Sequence, residues 1–496
     1  MTDTEGGAAP GILSELRPFF YPKAVAVVGV SQDSTKFGSR LCRAIQLFGF
    51  AGPLYPVSPR GTDFFGLPMY PSIDTVPGPV DLACICVPSP QVTDVIRQCR
   101  NKGIPAVVVM TAGFSETATA EGGQLEQELA SLAGDGLRII GPNCFGIYSP
   151  GGGVTQLPGA TYPQEQGGLA LLSQSGGVSV EFCRPSRDFG IRLSQAVSYG
   201  NACDISEADL LRYFEADPQT RIIAAYIEGV RQGRDFFYTM RHVTPRKPVI
   251  LWKGGLTPSG ARAAMSHTAS LSGSKRIWEA LFRQTGAIQV HSLEELLDTA
   301  SALYHLPPQT DPRVGVVCGG GGISVASSDA CHRAGLALAS LGPEAHQHLA
   351  SILAPSGTSA ANPVDAGGPY PPAALLRDIL MTLGASGDVG SIIIDRIALS
   401  ARMRQALESA EDEEMEGDHL LTQLPVELQR RWGIPVIVVL REGGDLPPAL
   451  EWEAERRRLR GYYQQRGIPV YPTAERAMRA LGQAIAYFRY RDRAKA

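Results

Sequence analysis

The sequence predicts an α/β protein made of several parallel-sheet domains, and three observations lead there. Short apolar, β-branched runs alternate with helical patterns along most of the chain. Nearly every run ends in a Gly-, Pro- or Ser-marked exit of the kind that turns a strand into a helix. At 496 residues the chain is too long for one core, because domains usually hold about 100–200 residues. Three domains are therefore expected, at 1–150, 151–308 and 309–496. Parallel strands joined by helices are covered on both faces, and their ligands sit at the carboxyl ends of the strands.

Composition narrows the class. Hydrophobic residues make up 44% and charged residues 19%, as in an ordinary globular chain. A net charge of -4, with no dense Lys/Arg stripe, gives no electrostatic reason to expect nucleic acid. The nine cysteines are scattered and form no CxxC pair, which favours reduced thiols in the cytosol over a disulfide framework or a zinc site. The start, MTDTEGGAAP, has neither a basic region nor an apolar core, so no secretory signal is read. No apolar run approaches the roughly 20 residues of a membrane span. A cytoplasmic protein with no membrane contact is the expectation.

In the first domain the strands are Ala24 to Val30, Leu82 to Val87, Ala106 to Met110 and Leu137 to Ile140. Helical patterns lie between them at Arg40 to Phe48 and Gln91 to Asn101. The first strand runs into Gly29-Val30-Ser31-Gln32-Asp33, then Lys36 and Gly38. A helix start with a nearby Lys suits a phosphate group. The complete GxGxxG fingerprint and its downstream acidic partner are missing, which counts against a nicotinamide cofactor. Other exits carry Arg60, Pro88, Thr111 and Asn143. Each alone reads as a turn; five polar exits on one sheet edge read as a ligand crevice.

The second domain restarts the alternation after a Gly/Pro-rich join at 150–168. Leu169 to Leu172 leads into Ser173-Gln174-Ser175-Gly176-Gly177 and a helix, a cradle of backbone amides for an oxyanion or phosphate at Ser175, Gly176 and Gly177, or else a plain turn. No GxSxG occurs, so Ser175 is not read as a hydrolase nucleophile. The strand Arg221 to Tyr226 ends in Ile227-Glu228-Gly229, which puts the Glu228 carboxylate on the active edge. Pro248 to Trp252 is a further strand, followed by a Gly/Ser-punctuated loop and then SHTASLSG at 266–273. His267 there is the nucleophile candidate, since an unshifted imidazole has a pKa of roughly 6.5. Glu228 is placed to accept the proton of one ring nitrogen and raise the basicity of the other. The alternatives are a capping His and a solvated Glu.

The third domain follows the proline-rich Leu306 to Pro312. Its strands are Val314 to Cys318, Ser391 to Asp395 and Pro435 to Leu440. The first enters Gly319-Gly320-Gly321-Gly322, where Gly321 and Gly322 open a second helix N-terminus suited to an anion. The acidic run Glu411 to Asp418 reads as a solvated face. The helical Ala474 to Arg489 carries no chemistry.

Taken in order, GPNCFG at 141–146, SQSGG at 173–177, DPQT at 217–220, YIEG at 226–229, SHTASLSG at 266–273 and NPVD at 362–365 resemble the NDP-forming acyl-CoA synthetases. The ADP-forming acetyl-CoA synthetases and, more distantly, the α subunit of succinyl-CoA synthetase belong to that family. The resemblance runs from Leu16 to about Arg491. It implies a Rossmann-like CoA-binding domain followed by two flavodoxin-like domains, and no ATP-grasp domain. It implies that His267 is phosphorylated, that Glu228 orients it, and that the helix starts at Ser175 and Gly321 flank the phosphohistidine. CoA would be held by positions similar to Gly29, Ser31, Lys36, Arg60 and Thr111, with Pro88 and Asn143 completing the crevice.

The family needs an ATP-grasp unit for its nucleotide, and nothing in this chain resembles one. GxxxxGK[ST] is absent too, because the chain has no Gly-Lys pair. The resemblance therefore implies a separate ATP-grasp β-type subunit that holds ATP or ADP with Mg, and a small carboxylic acid or acyl-CoA as the other substrate. Ala269 stands where relatives often have Gly after SHT. Val180 stands where succinate-specific relatives have Tyr, which implies a more apolar acid. The other classes in play are a CoA-sensing scaffold without turnover and, on the first strand alone, a nicotinamide oxidoreductase.

Overall fold

The computed structural model describes residues 11–157, 162–262, 274–368, 371–396, 414–442 and 447–495, with the side chains of 414–421 and 447–449 excepted. Two compact units result: Met1–Arg187 with Ile191–Leu296, and Asp188–Gly190 with Leu297–Ala496.

The first unit holds two sheets. One is five-stranded and parallel throughout, in the spatial order Leu54–Val57, Val25–Val28, Leu82–Ile85, Ala106–Val109, Arg138–Ile140. Its central strands are the apolar runs VAVV, LACI and AVVV, buried at every position, as a sheet covered on both faces demands. Counted by sequence this is the doubly wound order 2-1-3-4-5, and it reverses between Val25–Val28 and Leu82–Ile85. A crevice opens at such a reversal.

The other sheet has seven strands in the order Ile288–Val290, Val249–Lys253, Ile222–Ile227, Leu169–Ser173, Leu193–Ser198, Gly146–Ser149, Val154–Thr155. Its first five are parallel, again in the flavodoxin order 2-1-3-4-5 by sequence, and the last two join antiparallel. The reversal falls between Leu169–Ser173 and Ile222–Ile227, so Ser175 and Glu228 leave the sheet on either side of it.

The two sheets share one hydrophobic core that runs from Leu16, Phe19 and Phe20 through Val27 and Cys84 to Leu172, Tyr213 and Leu251. Phe20 stacks on Tyr213 at 4.6 Å between ring centroids. Arg138 forks onto Asp204 at 2.9 and 3.0 Å, which ties the last strand of the first sheet to the loop that leaves Leu193–Ser198 of the second.

The second unit carries a six-stranded parallel sheet. Ala337–Leu338, Arg313–Cys318, Ser391–Arg396, Val436–Leu440 and Val470–Tyr471 lie in that order, and Val364–Asp365 also pairs with Arg313–Cys318. Its strands SIIID and VIVVL are fully buried. Helices Ala373–Ala385 and Glu414–Trp432 pack over one core cluster. Of the acidic run Glu411 to Asp418, only the backbone from Glu414 onward is described, and it is helical. No helix among the described residues is long and apolar enough to cross a membrane.

Candidate functional site

The carboxyl edges of the two sheets in the first unit meet at a cleft of about 550 Å³. Pro88, Thr111 and Asn143 line it from the first sheet, and Gln174, Ser175, Gly176, Gly177 and Asn201 from the second. Six of the sequence-predicted residues therefore come together in one cavity.

Each is placed by a local device. Leu169–Ser173 is buried along its length and stops where Ser173 Oγ turns back to donate to the Ser175 carbonyl at 2.7 Å. Ser175 then caps the helix Gly176–Cys183, its Oγ accepting from Val178 N–H at 3.4 Å. The N–H groups of Gly176 and Gly177 meet no acceptor among the described residues. A helix start with free amides and a partial positive charge suits an anion. Asn143 has φ +58°, a left-handed conformation that Asn tolerates better than most residues. Its amide donates to Asn201 Oδ1 at 3.3 Å. Asn201 in turn donates to Glu116 at 2.6 Å and to Glu126 at 2.8 Å. Glu126 is buried, which raises its carboxyl. Hydrogen bonds from Ser115, Arg231 and Asn201 outweigh that and hold it below the usual carboxylate range.

Glu228 stands behind Gln174. Its N–H and that of Gly229 both donate to Gln174 Oε1, at 2.7 and 3.0 Å. Its Oε1 accepts from the Tyr226 hydroxyl at 3.1 Å. Its Oε2 is buried and has no hydrogen-bond partner among the described residues. A buried carboxylate oxygen left unpaired costs free energy, on the order of 1–3 kcal/mol or more for a charged group. It is an acceptor suited to an N–H donor such as an imidazole. His267, with the rest of SHTASLSG, lies outside the described residues.

Lys253 underpins the same strand ends. It is 4% exposed, donates to the carbonyls of Glu228, at 2.6 Å, and of Gly254, and stands 5.0 Å from the centroid of the Trp278 ring. Burial pulls its ammonium down to about 8, with nearby Glu228 partly opposing.

Gly29, Ser31, Lys36 and Arg60 do not line the cleft. Gly29 has φ +101°, and a Cβ there would lie 2.8 Å from the Cys86 carbonyl, so this crossing at the strand reversal admits only glycine. Ser31 is held by Ser39, whose Oγ accepts its N–H at 2.9 Å. Lys36 precedes the helix Phe37–Phe48 without a side-chain cap, and Arg60 is exposed. Gly321 and Gly322 lie in the second unit, at the start of the helix Gly321–Arg333. There Asp365 accepts the Gly320 N–H at 2.7 Å, so a carboxylate already occupies part of that helix start.

Sequence reasoning passed over Gln174, Asn201, Lys253 and two aromatic residues in the cleft, Phe37 and Phe145. Gln174 sat inside the SQSGG motif without a role, because the amides it serves belong to a different strand. All nine cysteines are free thiols, and burial pushes that of Cys144, in the cleft wall, up to about 12.

Residues 23–150 match the family model of a CoA binding domain, 166–303 that of a succinyl-CoA ligase like flavodoxin domain, and 314–394 that of a ligase-CoA domain. The α subunit of acetate–CoA ligase [ADP-forming] I from Pyrococcus furiosus is 33% identical over 495 residues, covering 97% of this chain and 99% of its own. Acetate–CoA ligase [ADP-forming] I of Archaeoglobus fulgidus is 38% identical over 347 residues, and the match spans 50% of that longer chain. Among solved structures, the dinucleotide-forming acetyl-coenzyme A synthetase 1 of Ca. Korarchaeum cryptofilum, in complex with phosphate and ADP, superposes with a TM-score of 0.80 at 32% identity. That match covers 97% of this chain and 98% of that one.

Proposed function

Because the chain belongs to the ADP-forming acyl-CoA synthetase family as an α-subunit-like member, we propose that it is the CoA-binding, phosphohistidine-bearing subunit of such an enzyme. The overall reaction is acyl-CoA + NDP + phosphate to carboxylic acid + CoA + NTP, and it is reversible. The observation that carries this reading is the orphaned buried Oε2 of Glu228. Glu228 directly follows the strand Ile222–Ile227, which pairs with the strand that leads into the free amides of Gly176 and Gly177.

In the direction of acyl-CoA breakdown, phosphate rests on those amides. One of its oxygens attacks the thioester carbonyl, the C–S bond breaks, and CoA leaves as a thiolate that takes up a proton. The product is an acyl phosphate. The helix start stabilises the negative charge that builds up on phosphate and carbonyl oxygen. A ring nitrogen of His267 then attacks phosphorus, the P–O bond to the acyl group breaks, and the carboxylate departs. Glu228 Oε2 accepts the hydrogen of the other ring nitrogen, fixing the tautomer and stabilising the cationic ring. Crevice residues Pro88, Thr111 and Asn143 hold CoA, with Gly29, Ser31, Lys36 and Arg60 extending the site beyond the cleft.

The phosphoryl group passes on to a nucleotide held with Mg by a separate ATP-grasp subunit, in the cytoplasm. Domains at 1–150, 151–308 and 309–496 divide these tasks. With the ATP-grasp partner present, His267→Asn is expected to abolish acyl-CoA formation, and retention of even a tenth of the activity overturns the assignment.

A further inference from the structure

We infer that the rings of Phe37 and Phe145 form the surface on which the substrate's acyl group packs, and that this surface selects uncharged acyl groups over those ending in a carboxylate. The inference rests on the cleft being the site of CoA and phosphate.

Phe145 is fixed against the phosphate turn itself. A Cβ on Gly176 would come within 2.7 Å of its ring, so the ring lies flush on the first residue of the helix whose amides are free. The Phe145 N–H donates to Ser198 Oγ at 3.0 Å, which anchors the backbone beneath the ring. Phe37 faces it from the other sheet's side. It is the first residue of the helix Phe37–Phe48, and its ring centroid lies 6.2 Å from that of Phe145, with the planes 28° apart. Phe37 is nevertheless 39% exposed, a large apolar group held at the edge of the cleft. Val87, Met110 and Ala112 extend the same wall, and no charged residue lines the cleft among those described.

The chemistry then decides what touches these rings. A phosphate oxygen on Gly176 and Gly177 has to reach the thioester carbon, so the acyl chain starts within a few bonds of Gly176. The apolar surface nearest that point is Phe145, with Phe37 beyond it. Each methylene buried there gains about fourfold in affinity. A terminal carboxylate in the same place loses water and meets no cation among the residues that line the cleft, which costs at least about tenfold.

The test is direct binding of CoA, acetyl-CoA, butyryl-CoA and succinyl-CoA to the purified full-length chain by calorimetry. Butyryl-CoA, longer by two methylenes, is expected to bind about sixteenfold tighter than acetyl-CoA. Succinyl-CoA, with the same number of acyl carbons, is expected to bind at least about tenfold weaker than butyryl-CoA. Phe37→Ala and the milder Phe145→Leu should each shrink the butyryl preference while leaving CoA itself bound. Phe37→Arg, at a position open enough to take it, should shift preference toward succinyl-CoA. Succinyl-CoA binding as tightly as butyryl-CoA, or preferences unchanged in both Phe37→Ala and Phe145→Leu, overturns the inference alone. Failure of the chain to bind CoA in any form overturns the CoA-site reading beneath it.

Discussion

Glu207 shows what burial does to a carboxyl when it outweighs a nearby cation, Arg231. It is 4% exposed in the first turn of the helix Glu207–Ala216, and burial pushes it from the ordinary 4.5 up to about 7, with its own backbone amide opposing. A raised carboxyl favours the neutral form in the folded state. Its contribution to stability is complete below about 4.5 and is lost as pH rises through 7. The loss is of the order of 3 kcal/mol, at about 1.4 kcal/mol for each pKa unit. Glu207→Gln should therefore raise the melting temperature by several degrees at pH 8 and bring no gain at pH 4. A lower melting temperature at pH 8 would show that the charge is stabilised there after all. Glu228 was legible in the sequence because a carboxylate just past a buried strand has to sit on the sheet edge. The unpaired state of its Oε2 was not, since that depends on Tyr226, Gln174 and Lys253, which only folding gathers around it.

At the scale of elements, the helix Gly176–Cys183 has no room for a side chain at its first residue. Gly176→Ala drives a Cβ into the Phe145 ring, and overpacking of this kind costs about 1–3 kcal/mol. Phosphate and acyl-CoA binding should fall together with the urea midpoint, and an unchanged midpoint would mean the ring moves freely. In the second unit, Asp298 on the helix Leu293–His305 is fully buried. It receives a forked bond from Arg476 of the helix Ala474–Lys495, at 2.7 and 2.8 Å. Asp298→Asn leaves a guanidinium poorly matched, and breaking a buried pair costs about 3–5 kcal/mol. Equilibrium denaturation of the variant checks this. The longer central strands could be read from their uniform apolar runs, with ends off by a residue or two, whereas short ones such as Leu54–Val57 and Ile288–Val290 went unread. Leu193–Ser198 could not be read either: Ser194 and Gln195 look like loop residues, yet both are fully buried. Ser194 bonds Thr220 at 2.8 Å, and Gln195 bonds Tyr21 and Tyr213, each at 3.3 Å.

For the whole molecule, the stretch 150–168 reads as a linker in sequence because Gly and Pro crowd it. In the structure it contributes Val154–Thr155 to the second sheet, and Gln156 is buried there, its Oε1 accepting the Ile147 N–H at 2.9 Å. Gly and Pro mark where the chain turns, but not whether the turn is buried. The shared core explains how two sheets with separate strand patterns build one cleft, with CoA-side and phosphate-side residues on facing edges. That arrangement makes the central proposal testable on this chain alone, before any nucleotide-binding partner is supplied. The measurement is incubation of the full-length chain with butyryl-CoA and radiolabelled phosphate, followed by mapping of the bound label. Acid-labile, base-stable phosphate is expected on His267, strongly reduced in Glu228→Gln and absent in His267→Asn. No incorporation, or label on a different residue, refutes the phosphohistidine assignment.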